Sequence, residues 1–446
     1  MGRFCKILEE KYGIPTVGAV AETMFDYATG YDFLYTNGMP IRYVAIPFPV
    51  AGQPPEVHKK YVEGNDPRTG KPLMQEIIDD LTRPLTDKEK MSGVPPEAAP
   101  EPRLLKPDTA DNLRKLFKEK DWTDYNPIIL PTEERVAAML KGTSHKPDEV
   151  VHTINWPGGG RELTVEKAAI AAVMAGAKPE YMPVILAVAT KVPFGNSTSS
   201  MANMILVNGP IVKEIGMNAG TNAMGPHNDA NAVIGRVFTL LSKTVGNLHS
   251  GKTTFSSLGS NLQYNNVTIA ENEDSLPKGW KPLSVQMGFK PTDSVVTVAT
   301  GWTYISSVGE VQIEYPPQDL MRDYMRSLTA IGSGATIIMD PTVAKLLEDT
   351  QGFKTKEELS KWFSENVEKT TSSFWGNGVV STSFASLAMQ GLEPYASWYK
   401  APPDTLIKPF NNPRAIHIVV TGGGIQTTWF VTDFRLGRGV RVDDWR

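Results

Sequence analysis

The stretch from Leu163 to Arg236 constrains this chain more than any other. Thr164 to Ala175 and Pro179 to Thr190 are crowded with small and apolar residues, with Gly176 between them as a stop and Pro179 in a first turn. Two close-packed helices are predicted there. A buried strand follows at Ala202 to Asn208, then a loop rich in Gly and Asn, then a helix over Asn231 to Val245. A tightly packed scaffold that presents amide groups on a loop is a common way to build a binding site.

The rest of the chain alternates in the same way. Ile14 to Ala21, Ile41 to Pro47, Val150 to Asn155, Asn266 to Ala270, Ser294 to Ala299, Ala335 to Met339 and Ala415 to Thr421 read as strands. Between them, Glu22 to Asn37, Leu73 to Leu85, Thr109 to Lys120, Thr132 to Lys141, Pro317 to Ile331, Pro341 to Asp349 and the charged segment Lys356 to Val367 read as helices, the last an exposed one. The expected class is α/β: a small parallel α/β unit over residues 1–88, a Pro-rich linker over 89–108 and a larger α/β domain over 109–446. Two strands are few for the first unit, so it reads as a sheet lacking its first strand. No internal repeat is visible.

Composition narrows the function. With 446 residues, 41% hydrophobic and 21% charged, the chain is an ordinary globular one. A net charge of −4 without any basic block argues against nucleic acid and anionic membranes as partners. No apolar run reaches the roughly 20 residues that span a bilayer, and the first residues hold no apolar signal core, so a cytoplasmic protein is expected. Cys5 is the single cysteine, which excludes an internal disulfide. The six histidines are nowhere paired at metal-ligand spacing, so no metal site is predicted, and no cofactor is named by any motif.

Three groups of residues could carry chemistry. Asn208, Asn218, Thr221, Asn222, Asn231, His227 and Asn228 surround the loop, and could recognise a polar group or bond their own backbone. Gly422, Gly423 and Gly424 follow a strand, as either an anion cradle or a tight turn; Trp156 to Gly160, with Arg161, is a similar case. Glu166, in the first turn of a helix, is either a general base or a partner of the helix N-terminus, and Glu180 and Tyr181 have comparable alternatives.

The same stretch carries a resemblance. Thr164-Val165-Glu166-Lys167-Ala168-Ala169-Ile170-Ala171-Ala172-Val173-Met174-Ala175-Gly176 and its continuation to Val184, Val207-Asn208-Gly209-Pro210-Ile211, and Ile215 to Pro226 resemble the signature of the UGSC-type (seleno)protein family. The front end, Leu8 to Val17, is also similar. Members of that family carry a selenocysteine or cysteine in a U/C-Gly-Ser-Cys motif after a first strand, similar to the motif of glycine-reductase-type selenoproteins. The resemblance implies redox or nucleophilic thiol chemistry on a small polar substrate. Here that motif would fall before Met1, and the chain lacks it. Three expectations follow. Either a second protein subunit supplies the strand and its reactive residue, or the chain is a stand-alone lyase or hydrolase using Glu, Asn and His groups, with Glu166, His227 and Tyr181 as the catalytic candidates. A non-catalytic scaffold for a catalytic partner is the third.

Overall fold

The computed structural model describes residues 2–446 except 30–39, 51, 92–101, 157–158, 194–200, 252, 255, 257 and 308–314. The expected helix stop at Asn37-Gly38, half of the Pro-rich linker and Pro157-Gly158 lie outside the described residues.

The N-terminal unit is small and parallel, as its sequence predicts. Helix α1 (Gly2–Tyr12) buries Cys5. Strands β1 (Val17–Ala21) and β2 (Arg42–Ile46) pair in parallel, and α2 (Leu73–Thr82) packs on β2 with Leu73 buried. On the outer side of β2, the Ala45 amide donates to Asp66 Oδ2 at 2.6 Å, and Arg42 bonds Glu89 at 3.3 Å. Among the described residues, β1 has no second strand partner. The described part of the helix expected over Glu22 to Asn37 is helical throughout, as a 3-10 turn over Glu22–Met24 that runs into an α-helical turn over Phe25–Thr29.

In the large domain, the hairpin β3 (Val150–Trp156) and β4 (Gly159–Thr164) leads into α3 (Val165–Ala175). Thr164 caps this helix by accepting from the Lys167 amide, and Gly176 ends it with φ +86°, a conformation glycine adopts without penalty. Helices α4 (Met182–Ala189) and α5 (Asp229–Thr244) pack on α3. α5 also runs close to the segment that enters β6: a Cβ on Gly235 of α5 would lie 1.7 Å from the Asn265 carbonyl oxygen.

Two sheets follow, and they repeat one plan. In the first, β5 (Ala202–Asn208) has β6 (Val267–Ala270) parallel on one side and β7 (Val295–Gly301) antiparallel on the other. After β7 the chain forms β8 (Tyr304–Ser306). In the second, β9 (Ala335–Met339) is followed by helices α6 (Pro341–Asp349) and α7 (Lys356–Asn366) and a short ribbon of β10 (Lys369–Thr370) and β11 (Leu406–Ile407). It then has β12 (Ile416–Val420) parallel on one side and β13 (Trp429–Thr432) antiparallel on the other. The last strands change sheets. β8 pairs with β13 of the second sheet, while β14 (Arg435–Leu436) and β15 (Val440–Arg441) pair with β7 of the first. The registers match too. Val207 stands opposite Ala270 and Val296; Met339 stands opposite Val420 and Trp429. Glu271 N donates to Val207 O at 3.1 Å, and Thr421 N to Met339 O at 2.9 Å. The internal repeat absent from the sequence is therefore present in the topology.

Period-two alternation assigns the faces. Met204, Leu206, Ile338 and Val419 meet in one apolar cluster between the sheets. Ile205 and Val207 instead face α3, α4 and α5, and Ile337, Met339, Ile418 and Val420 face α6 and α7. Four layers result: helices, sheet, sheet, helices. The segment expected as the exposed helix Lys356 to Val367 is α7, and it is half buried. Its apolar side chains Leu359 and Phe363 enter the core. The helix expected over Pro317 to Ile331 ends at Met325.

The fully buried Lys356 Nζ lies 2.5 Å from Oε1 of the fully buried Glu271, just past β6. Glu271 Oε2 accepts from Asn208 Nδ2 and from the Leu283 amide, both at 2.7 Å. Removing one partner of such a pair strands the other charge without water. Lys356→Met is therefore expected to destabilise the protein by about 3–5 kcal/mol, read as a lowered midpoint in urea denaturation followed by circular dichroism.

Candidate functional site

Parallel neighbours β9 and β12 both end at one place, and ligands of α/β proteins favour the carboxyl ends of such strands. Here β9 runs out into Asp340 and β12 into Thr421 and Gly422. The loop between Asn218 and Asn228 closes over them: the Gly422 amide donates to Ala219 O at 2.8 Å, and Asn272 Nδ2 to Gly422 O at 3.0 Å. The approach at Gly423 is so close that a Cβ there would lie 2.2 Å from Thr221 Oγ1. A cavity of about 460 Å³ remains, lined by Thr221, Asn222, Asp340, Gly422, Gly423 and Gln426, with Ile338 and Phe430 among its apolar walls. Its size and mixed lining suit a small molecule.

Among the described residues lining this cavity, Asp340 is the ionisable one. It caps α6: Oδ1 accepts from the amides of Thr342 (2.7 Å) and Val343 (3.0 Å), and Oδ2 accepts from the amide of Thr428. Burial outweighs these donors and holds its carboxyl above the ordinary aspartate range. Gly424 sits at the start of the same helix, where a Cβ would come within 3.4 Å of Thr342 Oγ1. Sequence reasoning passed over Asp340. An Asp before Pro341 reads as a helix cap, which it is, and only the adjacency of β12 turns that cap into a cavity wall.

The residues singled out from sequence divide into several groups. Thr221, Asn222, Gly422 and Gly423 come together on the cavity. The amides of the loop mostly serve the loop itself. Asn218 Nδ2 donates to Asn228 Oδ1 (2.7 Å), Asn222 Nδ2 to Pro226 O (2.7 Å) and Asn228 Nδ2 to Asn222 O (2.6 Å). Asn231 is buried and exchanges two 2.9 Å bonds with the backbone of Asn218. Asn208 is buried, and its amide donates to Glu271 and Glu273. His227 is exposed, with φ +77°, and is not among the cavity's lining residues.

Glu166 and Tyr181 stand elsewhere. The Glu166 carboxylate accepts from Arg103 Nη2 at 2.5 Å in the first turn of α3, and its amide donates to Pro147 O. The buried Tyr181 donates to Asp229 Oδ2 at 3.0 Å, and Asp229 also pairs with Lys178. Arg161 donates to Asn247 Oδ1 at 3.3 Å. Glu166, His227 and Tyr181 thus occupy separate environments rather than one constellation.

No protein-family model, curated protein or solved structure matches this chain.

Because burial raises Asp340, the folded state holds its proton more tightly than the unfolded chain does. That contribution to stability is complete below the ordinary aspartate value of about 3.9 and is lost as pH rises through the folded value. Asp340→Asn keeps the cap on Thr342 and Val343 and removes the titration. Its stability relative to the unchanged protein should rise as pH increases through that window, measured by thermal unfolding in a pH series.

Proposed function

We propose that the protein is an enzyme subunit that binds a small polar substrate in the cavity at the carboxyl ends of β9 and β12. Asp340 serves as the proton-transfer group, and Asn222 and the Gly422–Gly424 turn make the polar contacts. The observation carrying this reading is the convergence, on one 460 Å³ cavity, of two parallel strand ends, a glycine turn, an amide loop and a carboxyl whose proton affinity is raised. A carboxyl shifted upward toward neutral pH is suited to acid–base work. Its environment fits lyase or hydrolase chemistry without help from Glu166, which Arg103 engages on the surface.

A second reading follows from the UGSC-type resemblance: redox or thiol chemistry in which a partner chain brings the reactive cysteine or selenocysteine. One observation favours it. Among the described residues β1 pairs with β2 alone, and the free edge of a parallel strand can accept another by strand addition. That strand would complete the N-terminal sheet.

The first reading is tested by screening small hydroxy, carboxylic and amide metabolites for thermal stabilisation of the purified chain. A binder should lose its effect in Gly423→Val, whose side chain would meet Thr221. Asp340→Asn should retain binding and lose turnover by roughly a hundredfold or more, in the range general acid–base catalysis supplies. Binders indifferent to Gly423→Val would sink the cavity assignment. The partner reading predicts that co-expression with neighbouring reading frames yields a stable complex. A lone chain that turns over a thiol-dependent substrate would overturn it.

A further inference from the structure

A second cavity, about 790 Å³, opens at the opposite end of β9 and β12. Gly332 and Gly334 lead into β9 there, Arg414 precedes β12, and β13 returns to this end and continues into Arg435 and Arg438. Three arginines thus line one concavity, together with His417 and Phe289, and among the described residues no carboxylate lines it. Elsewhere the chain pairs many of its arginines, Arg322 with Asp319 and Arg446 with Glu214 for example. Among the described residues, Arg414, Arg435 and Arg438 form no ion pair with a carboxylate. The Nε of Arg435 is buried and has no hydrogen-bond acceptor among the described residues. A buried guanidinium N–H without an acceptor is costly unless a ligand supplies one.

The backbone is shaped around Arg435. A Cβ on Gly334 would stand 2.6 Å from Arg435 Cγ, and one on Gly332 would stand 3.8 Å from Nη1. The missing Cβ at Gly334 leaves room for the side chain to lie along the start of β9, while the Gly332 distance is one of ordinary contact. The duplication shows that the fold itself does not require these charges. Counting back equally from the paired residues Ala270 and Val420, Arg414 corresponds to Tyr264 and His417 to Val267. Counting forward from Val296 and Trp429, Arg435 corresponds to Trp302. The same strand ends in the other sheet carry no arginine at these places. Burial pushes the His417 imidazole down to about 4, so at neutral pH the cavity's charge rests on the arginines.

We propose that this arginine cavity binds the phosphate groups of a small phosphorylated ligand, with the remainder of the ligand lying toward Phe289 and Met287. Planar guanidinium forks match phosphate oxygens in pairs and hold their charge at every physiological pH. A volume of about 790 Å³ admits an organic phosphate of nucleotide size. A neighbouring cavity of about 550 Å³ shares Arg414, His417 and Met287 and adds Lys361 and Glu357, which leaves room for a non-phosphate part. The site is separate from the Asp340 cavity, and the proposal does not depend on the function assigned there.

Isothermal titration calorimetry on the full chain, with sodium pyrophosphate and ATP as probes and citrate as a carboxylate comparison, tests this. Saturable binding of pyrophosphate or ATP is expected. Arg414→Gln and Arg438→Gln, both at exposed positions, should each weaken it by roughly tenfold or more, the loss that a charge-assisted hydrogen bond supports. Arg435→Gln should do the same if circular dichroism shows it folded. ATP binding more tightly than pyrophosphate would support contacts beyond the phosphates. Absence of binding by both phosphates, affinity unchanged in both exposed variants, or tighter binding of citrate would each overturn the proposal.

Discussion

The contact between Lys356 and Glu271 holds the two halves of the large domain in one arrangement. Both groups are fully buried, so each has given up water, and their attraction compensates only if the remaining oxygen and N–H positions are also filled. Glu271 meets that condition with donors from both halves: Asn208 from the end of β5, the Leu283 amide from the segment before β7, and the Val420 amide from the end of β12. Lys356 arrives from the first turn of α7, on the far side of the second sheet. A carboxylate that gathers strand ends from two sheets fixes their relative position in a way that an apolar contact, with no preferred direction, would not.

That junction also explains why the two halves differ at equivalent points. Asn208 and Asp340 end corresponding strands. In the first half the space beyond the strand end is filled: Glu273 accepts from Asn208 Nδ2 and the Gly209 amide, and Glu271 takes the other bond. In the second half, Thr421 and Gly422 replace Glu271 and Asn272, and among the described residues no long acid side chain fills the gap. The loop from Asn218 to Asn228 reaches across from the first half and roofs a hollow instead. One backbone plan thus yields a polar lock in one half and a cavity in the other.

Much of this was readable in the sequence because local signals were strong. The runs that became β5, β6, β7, β9 and β12 are apolar and bounded by turn residues, and Thr164 and Gly176 delimit α3 as caps. The amide loop and the Gly422 turn were both legible as site material, and they do meet. Their meeting was not legible, because it depends on a parallel pairing between strands far apart in sequence. Lys356 misled for a related reason. In a segment rich in Lys and Glu, it reads as one more solvated charge, and only Glu271, far upstream, makes its burial tolerable. The duplication leaves no mark in the sequence because it resides in backbone registers. The link between β9 and β12 carries several helices, whereas that between β5 and β6 is built mainly on α5, so no fixed spacing repeats. Arg414, Arg435 and Arg438 likewise form no run; strand ends collect them.

The exchange of final strands has its own implication for how the molecule assembles. β8 leaves the first sheet to complete the second, and β14 returns to complete the first. Neither sheet can be finished by its own half, so the halves are mutually dependent folding units rather than beads on a string. During synthesis β8 must wait, unpaired, until β13 emerges much later. Pairings of such long sequence separation are slow to form and leave edges exposed meanwhile. Cutting the chain between the halves would yield two fragments, each displaying the strand that belongs in the other, and their natural fate would be to find one another again.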